Sequence, residues 1–234
     1  MSRPAIFIDR DGVLNDLIRN PATGRMEAPL WVGDFHLIDG VTSALLRLQS
    51  AGYALILVSN QPNFALGKSS YDAHWMIHHE LVRKLALAGV RFTRFSYCLH
   101  HPKGLTPGYS HVCDCRKPSP GMLLQARDDF SLTLADSWMI GDQPTDTQCG
   151  RAAGTRTIRV VPQGSEIGPR LDPSDPGADH FARNLCEAAE IILGDSGNRL
   201  AAGPGCCESR GVDGIAGGPR IVVKHLHGLQ RVLL

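Results

Sequence analysis

Two aspartates, one residue apart, follow a short apolar run near the start of the sequence. The run is Ala5–Ile8, and Asp9 and Asp11 come directly after it, before Gly12. Two carboxylates this close repel each other unless a cation or a shared proton compensates them. A third carboxylate, Asp142, also follows an apolar run. Because Mg²⁺ prefers oxygen ligands, we predict a magnesium site made of Asp9, Asp11 and Asp142.

A lysine and a serine-asparagine pair could complete this site. Ser59 and Asn60 follow an apolar run at 53–58, and Lys117 follows Arg116. Three carboxylates, one lysine and one divalent ion carry no net charge together, so a phosphate dianion could enter. The serine and asparagine, with nearby backbone N–H groups, would hold the phosphate oxygens. The predicted substrate-binding residues are Ser59, Asn60, Arg116 and Lys117.

These groups together predict the hydrolysis of a phosphomonoester. Asp9 would attack phosphorus and form an aspartyl-phosphate. Asp11 would protonate the leaving oxygen and then activate water for the second step. Positioning and charge neutralisation would supply most of the rate enhancement.

Three cysteines and a histidine form a second group with the spacing of metal ligands. The four residues are Cys98, His100, Cys113 and Cys115. Three thiolates and one imidazole suit a closed, tetrahedral Zn²⁺ site, which braces a loop and leaves no open position for chemistry. His101 or His111 could replace His100, and ordinary reduced thiols are the alternative. Because the loop 101–112 leads into Arg116 and Lys117, a zinc ion here would position the lysine.

The elements that must position these residues alternate along the chain. Apolar runs predict strands at 5–8, 53–58, 92–97, 137–140 and 157–161. Amphipathic segments predict helices at 41–51, 71–88, 121–129, 145–153 and 185–193, and the second of these has Trp75, Leu81 and Leu85 as its core candidates. This alternation predicts an α/β fold: a doubly wound parallel sheet with helices on both faces. Ligands bind at the carboxyl ends of the strands in such sheets, which would bring Asp9, Ser59 and Asp142 to one edge.

The motifs, in their order along the chain, resemble those of the haloacid dehalogenase-like phosphohydrolase superfamily. The resemblance implies a Rossmann-like fold, and the segment 10–58 is too short for a large cap domain, so we expect an open site covered by loops. It also implies a role for each matching residue: Asp9 as nucleophile, Asp11 as acid and base, Ser59 as phosphate binder, Lys117 as charge partner, Asp142 as magnesium ligand and Asp146 as support for the metal site.

The two metal-ligand pairs, followed by the sequence RKPSPGML, narrow the resemblance to the D-glycero-D-manno-heptose 1,7-bisphosphate phosphatase and histidinol-phosphatase family, over roughly residues 4–193. It implies hydrolysis of a sugar phosphate, first of all the 7-phosphate of the heptose bisphosphate. The loop 101–112 is of the longer kind, which favours this substrate over histidinol phosphate. The chain departs from the family at Leu66, where an arginine is usual, and at Pro144, just after the metal aspartate. A catalytically idle binding module is the alternative of a different class.

The remaining features concern domains and location. We expect a phosphatase domain over 1–193, then a glycine-rich linker and a non-catalytic tail over 194–234, whose last residues could form a helix. A formal net charge of +1 gives no strong field to attract nucleic acid or a membrane. No apolar run approaches the roughly 20 residues that span a bilayer. Seven cysteines without an export signal argue against a disulfide framework. We therefore expect a cytoplasmic monomer that uses Mg²⁺ and Zn²⁺.

Overall fold

The computed structural model describes residues 2–20, 24–161, 177–200 and 220–223. Its strands are β1 (Ala5–Ile8), β2 (Ile18–Arg19), β3 (Met26–Glu27), β4 (Ala54–Asn60), β5 (Arg94–Cys98), β6 (Trp138–Gly141), β7 (Arg156–Val160), β8 (His180–Ala182) and β9 (Arg220–Val223). Its helices are α1 (Val41–Ser50), α2 (Tyr71–Leu87), α3 (Gly121–Phe130), α4 (Pro144–Ala153) and α5 (Leu185–Leu200), with short 3-10 turns at Val32–Asp34 and Leu134–Asp136.

Seven of the strands form one sheet in the order β8-β7-β6-β1-β4-β5-β9, and all neighbours in it are parallel. The chain runs outward from β1 through β4 to β5. It then crosses back to β6 on the other side of β1 and continues through β7 to β8. The strand order therefore reverses at β1, and parallel sheets bind ligands at such a point. The predicted doubly wound sheet is confirmed.

The central strands are buried on both faces because side chains alternate between two hydrophobic clusters. Ile6 and Ile8 of β1 belong to the cluster that also contains residues of α1, α2 and α5. Phe7, between them, belongs to the cluster that contains residues of α3 and α4. Burying each such side chain contributes about 1.5–3 kcal/mol, so β1 is a firm platform for the residues that follow it.

The helix α2 presents a different face to the core from the one predicted. Leu81 and Leu85 are buried as expected, but Trp75 is only half-buried. His74 and His78 occupy the buried face instead. Hydrophobicity patterns assign histidine to the surface, so the sequence does not reveal this arrangement.

The described residues between Asp9 and Ser59 form a small hairpin and no large cap domain. Among its described residues, β2 and β3 pair antiparallel, and the first 3-10 turn and α1 follow. The hairpin is attached to the loop after β4, because Lys68 Nζ lies 3.0 Å from Glu27 Oε2. The Ser69 hydroxyl also donates a hydrogen bond to the carbonyl oxygen of Leu30 (3.0 Å).

The end of the chain differs from the prediction in two ways. Helix α5 continues past the predicted boundary at residue 193, through Gly194, to Leu200. Residues Arg220–Val223, predicted to be helical, form β9 and pair with Arg94–Tyr97 at the edge of the sheet. The run Ile-Val-Val is β-branched, which favours a strand where an open sheet edge is available. The other residues of the predicted linker and tail lie outside the described residues, and the non-catalytic role of the tail stays a prediction.

A search of the described helices for one both long and apolar enough to cross a bilayer finds none.

Candidate active site

Three carboxylates meet at the carboxyl edge of the sheet. Asp9 follows β1, Asp142 follows the neighbouring strand β6, and Asp146 lies in the first turn of α4. The backbone N–H of Asp9 donates to the carbonyl oxygen of Ile140 (2.9 Å), which holds the two strand ends together. Each aspartate offers a carboxylate oxygen within 4.8 Å of those of the other two. The sequence predicted that Asp9 and Asp142 would meet here.

The start of α4 fixes Asp146 inside this group. Its Oδ2 accepts a hydrogen bond from the backbone N–H of Gln143 (2.9 Å), which completes a capping box at the helix N-terminus. Pro144 occupies the first helical turn, where its missing N–H costs nothing. A Cβ on Gly141 would lie 2.2 Å from the carboxyl carbon of Asp146, so only glycine allows this approach. The proline that departs from the family pattern therefore fits the helix start.

Gly12 brings the loop after β1 against Asp142. Its φ of +77° lies in the left-handed region that glycine adopts without strain. A Cβ at this position would lie 2.7 Å from Oδ2 of Asp142. From the other side, Arg159 Nε donates to the carbonyl oxygen of Asp142 (2.8 Å). Gly12 thus lies against the carboxylate of Asp142, and Arg159 holds its backbone.

Lys117 is buried among the carboxylates. Its Nζ lies 2.6 Å from Asp146 Oδ1 and 3.0 Å from Asp9 Oδ1, and it donates to the carbonyl oxygen of Val58 (2.9 Å). Burial alone would lower the pKa of Lys117, but the Asp146 and Asp9 carboxylates outweigh it and raise that pKa. The lysine therefore stays protonated and balances one of the negative charges.

The side chain of Asn60 holds the backbone of this lysine. Its Oδ1 accepts from the backbone N–H of Lys117, and its Nδ2 donates to the Lys117 carbonyl oxygen, both at 3.0 Å. These two bonds make Asn60 a support for Lys117, and each end of the amide keeps capacity for one more hydrogen bond. The predicted contact of Asn60 with substrate stays a prediction.

The site holds three carboxylates and one lysine, and the pKa values of Asp9 and Asp142 are raised. Burial, together with the nearby carboxylates of Asp146 and Asp11, raises the pKa of Asp9 to about 6 although Lys117 lowers it. Burial and the carboxylates of Asp9 and Asp146 raise the pKa of Asp142 to about 7. Buried oxygen ligands with uncompensated negative charge suit a hard divalent cation such as Mg²⁺.

The carboxylate of Asp11 is not part of this group. Its Oδ1 accepts from Arg10 Nη2 (3.0 Å) and Asn15 Nδ2 (3.1 Å), and its Oδ2 accepts from Gln61 Nε2 (2.5 Å). In the described residues the trio of carboxylates is therefore Asp9, Asp142 and Asp146, not Asp9, Asp11 and Asp142 as predicted. Asp11 is held instead by Arg10, Asn15 and Gln61.

Ser59 lies where the sequence predicted, beside the nucleophile candidate. Its hydroxyl oxygen accepts from Gln61 Nε2 (3.0 Å), and a hydrogen bond between Ser59 and Asp9 contributes to the Asp9 pKa by lowering it. Sequence reasoning missed Gln61 and Arg10. The available signal was their position, since Gln61 follows the Ser59-Asn60 pair and Arg10 lies between the two aspartates.

The three cysteines and the histidine also converge. The Sγ of Cys113 lies 3.6 Å from that of Cys98 and 3.3 Å from that of Cys115, and His100 Nδ1 lies 3.3 Å from the Cys115 sulfur and 3.8 Å from the Cys98 sulfur. A tetrahedral site with Zn–S bonds of ~2.3 Å has edges of about 3.8 Å, close to these separations. The group could hold a metal ion, and His100, rather than the adjacent His101 or His111, is its imidazole.

The loop between these ligands leads to the rim of the active site. Arg116 is half-buried, and its Nη1 donates to the carbonyl oxygen of His100 (3.3 Å). Burial and the charges of Arg116 and Lys103 lower the pKa of His101. The basic side chains of His101, Lys103 and Arg116 are therefore close enough to interact.

The sequence and fold of this chain are similar to those of known proteins. A family model described as HAD-hydrolase-like matches residues 114–188. The chain is 36% identical over 191 residues to D-glycero-beta-D-manno-heptose-1,7-bisphosphate 7-phosphatase of Escherichia coli K12. This alignment covers 82% of this chain and 94% of the relative. It is 39% identical over 167 residues to the protein of the same name from Vibrio cholerae, with 71% and 86% covered. The crystal structure of D,D-heptose 1,7-bisphosphate phosphatase from B. bronchiseptica, complexed with magnesium and phosphate, superposes with a TM-score of 0.68 at 26% identity over 82% of this chain and 99% of that one.

Gly12→Ala should weaken Mg²⁺ binding by about 10-fold or more, roughly 1.4 kcal/mol, because the new methyl group displaces the Asp142 carboxylate. Isothermal titration with Mg²⁺ measures this. Gly52→Ala is the matched control, since Gly52 also has a positive φ (+90°) but no atom within 4 Å of the Cβ position. Equal Mg²⁺ affinities of the two variants would contradict the proposed contact.

The stabilisation by Mg²⁺ should grow with pH. In the folded, metal-free protein the pKa values of Asp9 and Asp142 lie above their usual value of 3.8, so their contribution to the free energy of unfolding is lost as pH rises through about 6 and 7. Mg²⁺ removes that loss, and we expect its stabilising effect to be about 2 kcal/mol larger near pH 8 than near pH 5. Urea unfolding with and without Mg²⁺ at each pH measures this effect.

His74 and His78 also make the free energy of unfolding depend on pH. Their contribution cancels when the protein with Mg²⁺ is compared with the protein without it at the same pH. Their pKa values are lowered to about 3, mainly by burial, and their effect on stability has the opposite sign. Asp142→Asn should reduce the pH dependence of the Mg²⁺ effect, whereas Asp39→Asn on the exposed surface should leave it unchanged. An effect of Mg²⁺ that does not change with pH would show that these carboxylates do not bind the ion.

Proposed function

The chain belongs to the D-glycero-beta-D-manno-heptose-1,7-bisphosphate 7-phosphatase family of HAD-like hydrolases, and from this we propose that it hydrolyses the 7-phosphate of D-glycero-D-manno-heptose 1,7-bisphosphate. The observation that carries the proposal is the close approach of the carboxylates of Asp9, Asp142 and Asp146, two of which, Asp9 and Asp146, pair with the buried Lys117. The magnesium and phosphate of the related crystal structure support the same chemistry.

The nucleophile is Asp9, and its two oxygens have different surroundings. Oδ1 accepts from the backbone N–H of Arg10 (2.7 Å) and pairs with Lys117 Nζ (3.0 Å). This leaves Oδ2 to attack phosphorus. The bond between phosphorus and the sugar oxygen breaks, and an aspartyl-phosphate forms on Asp9.

Asp11 moves the proton in both steps. It protonates the sugar oxygen as that oxygen leaves, which gives the free hydroxyl of the product. It then takes a proton from the water that attacks the aspartyl-phosphate, so that inorganic phosphate and free Asp9 are released. Its side chain is 12% exposed, enough to reach a group bound in the site.

Mg²⁺ fits the donor set of three buried carboxylates, and Asp9, Asp142 and Asp146 would hold it. When bound, the ion supplies positive charge that favours ionised Asp9 and attracts the phosphate oxygens. Lys117 adds a fixed positive charge, and Ser59 supplies a hydroxyl donor beside Asp9. Preorganised charge of this kind stabilises the transition state of phosphoryl transfer without further rearrangement.

The second phosphate of the substrate would bind at the rim. Arg116, Lys103 and His101 are the candidates to line it. His101 and Lys103 lie on the loop 101–112, which is mostly exposed, and the charges of Lys103 and Arg116 act on His101. Arg116 is oriented by the carbonyl oxygen of His100, so its guanidinium is the best placed of the three. An open site with a basic rim suits a sugar that carries one phosphate at the reacting end and one at the other.

The four ligands Cys98, His100, Cys113 and Cys115 would hold Zn²⁺. Sulfur and nitrogen ligands favour zinc over magnesium, and four protein ligands leave no position for substrate. The backbone N–H of Arg116 donates to the sulfur of Cys113, which ties the site to the segment that carries Lys117. The zinc ion would therefore order the approach to the lysine.

Asp9→Asn should reduce phosphate release by roughly 10³-fold or more, because a carboxamide cannot form the aspartyl-phosphate. The substrate panel is both anomers of the heptose bisphosphate and histidinol phosphate, with Asp39→Asn as a control for loss of a carboxylate. Unchanged turnover by Asp9→Asn would rule out this nucleophile. Higher kcat/KM for histidinol phosphate would assign that substrate instead, and a wild type that neither binds Mg²⁺ nor releases phosphate would be a binding module.

Purified protein should contain about one Zn²⁺ per chain, measured by elemental mass spectrometry. Removal of zinc, or Cys113→Ser, should speed hydrogen exchange in the loop 101–112 before the sheet unfolds, and should lower turnover because Lys117 loses its support. Cys186→Ser is the matched control, since Cys186 lies on α5 outside the group. Absence of zinc, or equal exchange in the two variants, would contradict a zinc site here.

A further inference from the structure

Arg10 lies between the nucleophile and the acid-base residue in the sequence, and its guanidinium is buried. The whole residue has 0% exposure. Its Nε lies 3.1 Å and its Nη2 3.0 Å from Oδ1 of Asp11, and Nη2 lies 3.2 Å from Oδ2. Removing such a cation from water costs several kcal/mol unless a well-placed anion and further acceptors compensate it. The carboxylate of Asp11 therefore stabilises the buried guanidinium of Arg10. The contacts around this pair show how Arg10 in turn affects Asp11.

The surroundings of Arg10 supply no second charge from α2 or from the end of β5. His74 and His78 lie on the buried face of α2, and burial, with Arg10 among the further causes, lowers the pKa of both to about 3, so both are neutral. Tyr97 on β5 hydrogen-bonds through its hydroxyl to His78 Nδ1 (2.9 Å), and burial raises its pKa. The charged partner held by the guanidinium is the carboxylate of Asp11.

Gln61 closes a ring with this pair. Its Oε1 accepts from Arg10 Nη2 (2.8 Å), and its Nε2 donates to Oδ2 of Asp11 (2.5 Å). Asn15 Nδ2 donates to the other oxygen of Asp11 (3.1 Å). Both oxygens of the carboxylate are thus oriented, and rotation of the side chain would break several hydrogen bonds at once.

We propose that Arg10 is a positioning residue, which together with Gln61 fixes the Asp11 carboxyl group in the orientation that delivers its proton to the leaving sugar oxygen. The inference rests on the proposed function, because it takes Asp11 as the acid and base. Arg10 itself is fully buried and touches no reacting atom. Holding a proton donor in its reactive geometry removes an entropic part of the barrier, and small displacements cost on the order of 10²-fold in rate.

The test compares two substrates whose leaving groups differ in their need for a proton. An alkyl oxygen such as that of a sugar must be protonated as it leaves, whereas p-nitrophenolate leaves without a proton. Arg10→Gln should lower kcat/KM for the sugar phosphate by about 10²-fold and that for p-nitrophenyl phosphate by less than about 3-fold. The ratio kcat/KM covers steps only up to phosphoryl transfer to Asp9, so the later activation of water by Asp11 does not enter it.

Further variants separate positioning from simple stabilisation. Arg10→Lys keeps the charge but not the fork of donors, so it should restore part of the loss for the sugar phosphate. Adding Arg10→Gln to Asp11→Asn should cost little more than Asp11→Asn alone, because Arg10 acts through Asp11. Arg83→Gln, which removes an exposed arginine of α2, is the control and should leave kcat/KM unchanged for both substrates.

Equal losses for the two substrates, or additive effects in the double variant, would overturn the inference. If Arg10→Gln does not fold, as judged by circular dichroism, Arg10→Lys and Gln61→Met are compared with the same two substrates, and equal losses there overturn it likewise. A failure of the proposed function looks different: the wild type would release no phosphate, or Asp9→Asn would remain active.

Discussion

The repulsion among three close carboxylates is the constraint on which the site depends. One lysine compensates only part of their charge, and a divalent ion would complete the balance. Each carboxylate must therefore stay close to the others despite the energy that this proximity costs. The structure meets that requirement with rigid supports: the ladder between β1 and β6 for Asp9, the capping box of α4 for Asp146, and contacts from Gly12 and Arg159 for Asp142.

The active site and the cysteine-histidine group are two parts of one structure. Strand β5 ends at Cys98, and the backbone N–H of Gln61 donates to the carbonyl oxygen of Cys98 (2.7 Å). Gln61 in turn contacts Asp11 and Ser59. The ends of the neighbouring parallel strands β4 and β5 thus place Gln61, which contacts Asp11, beside Cys98, a candidate metal ligand.

Strand ends were predictable because burial on both faces gives continuous apolar runs, which the sequence displays directly. Asp9, Ser59 and Asp142 were located in this way, and the cysteine and histidine spacing revealed the second group. Side-chain direction was not predictable. The sequence does not reveal that the carboxylate of Asp146 joins those of Asp9 and Asp142. It also does not reveal that Gln61 holds Asp11, because these two residues become neighbours only in the folded chain. The sequence likewise does not indicate that both ends of the Asn60 amide bind the backbone of Lys117.

The remaining misses concern burial and the sheet edge. His74 and His78 are buried because α2 packs them against Tyr97 of β5, an arrangement that no periodicity of apolar residues indicates. Strand β9 forms because β5 offers an unpaired edge, which is a property of the sheet rather than of the segment itself.

Strand β1 lies between β4 and β6, and Ile6 pairs with Trp138 far along the chain. During synthesis the first strand therefore leaves the ribosome long before its second neighbour has been translated. The nascent chain can pair β1 with β4 early, but the middle of the sheet closes only after β6 has emerged. Since Asp142 and Asp146 arrive with and just after that strand, the catalytic centre is assembled late in translation, and no N-terminal fragment that stops short of β6 can carry it.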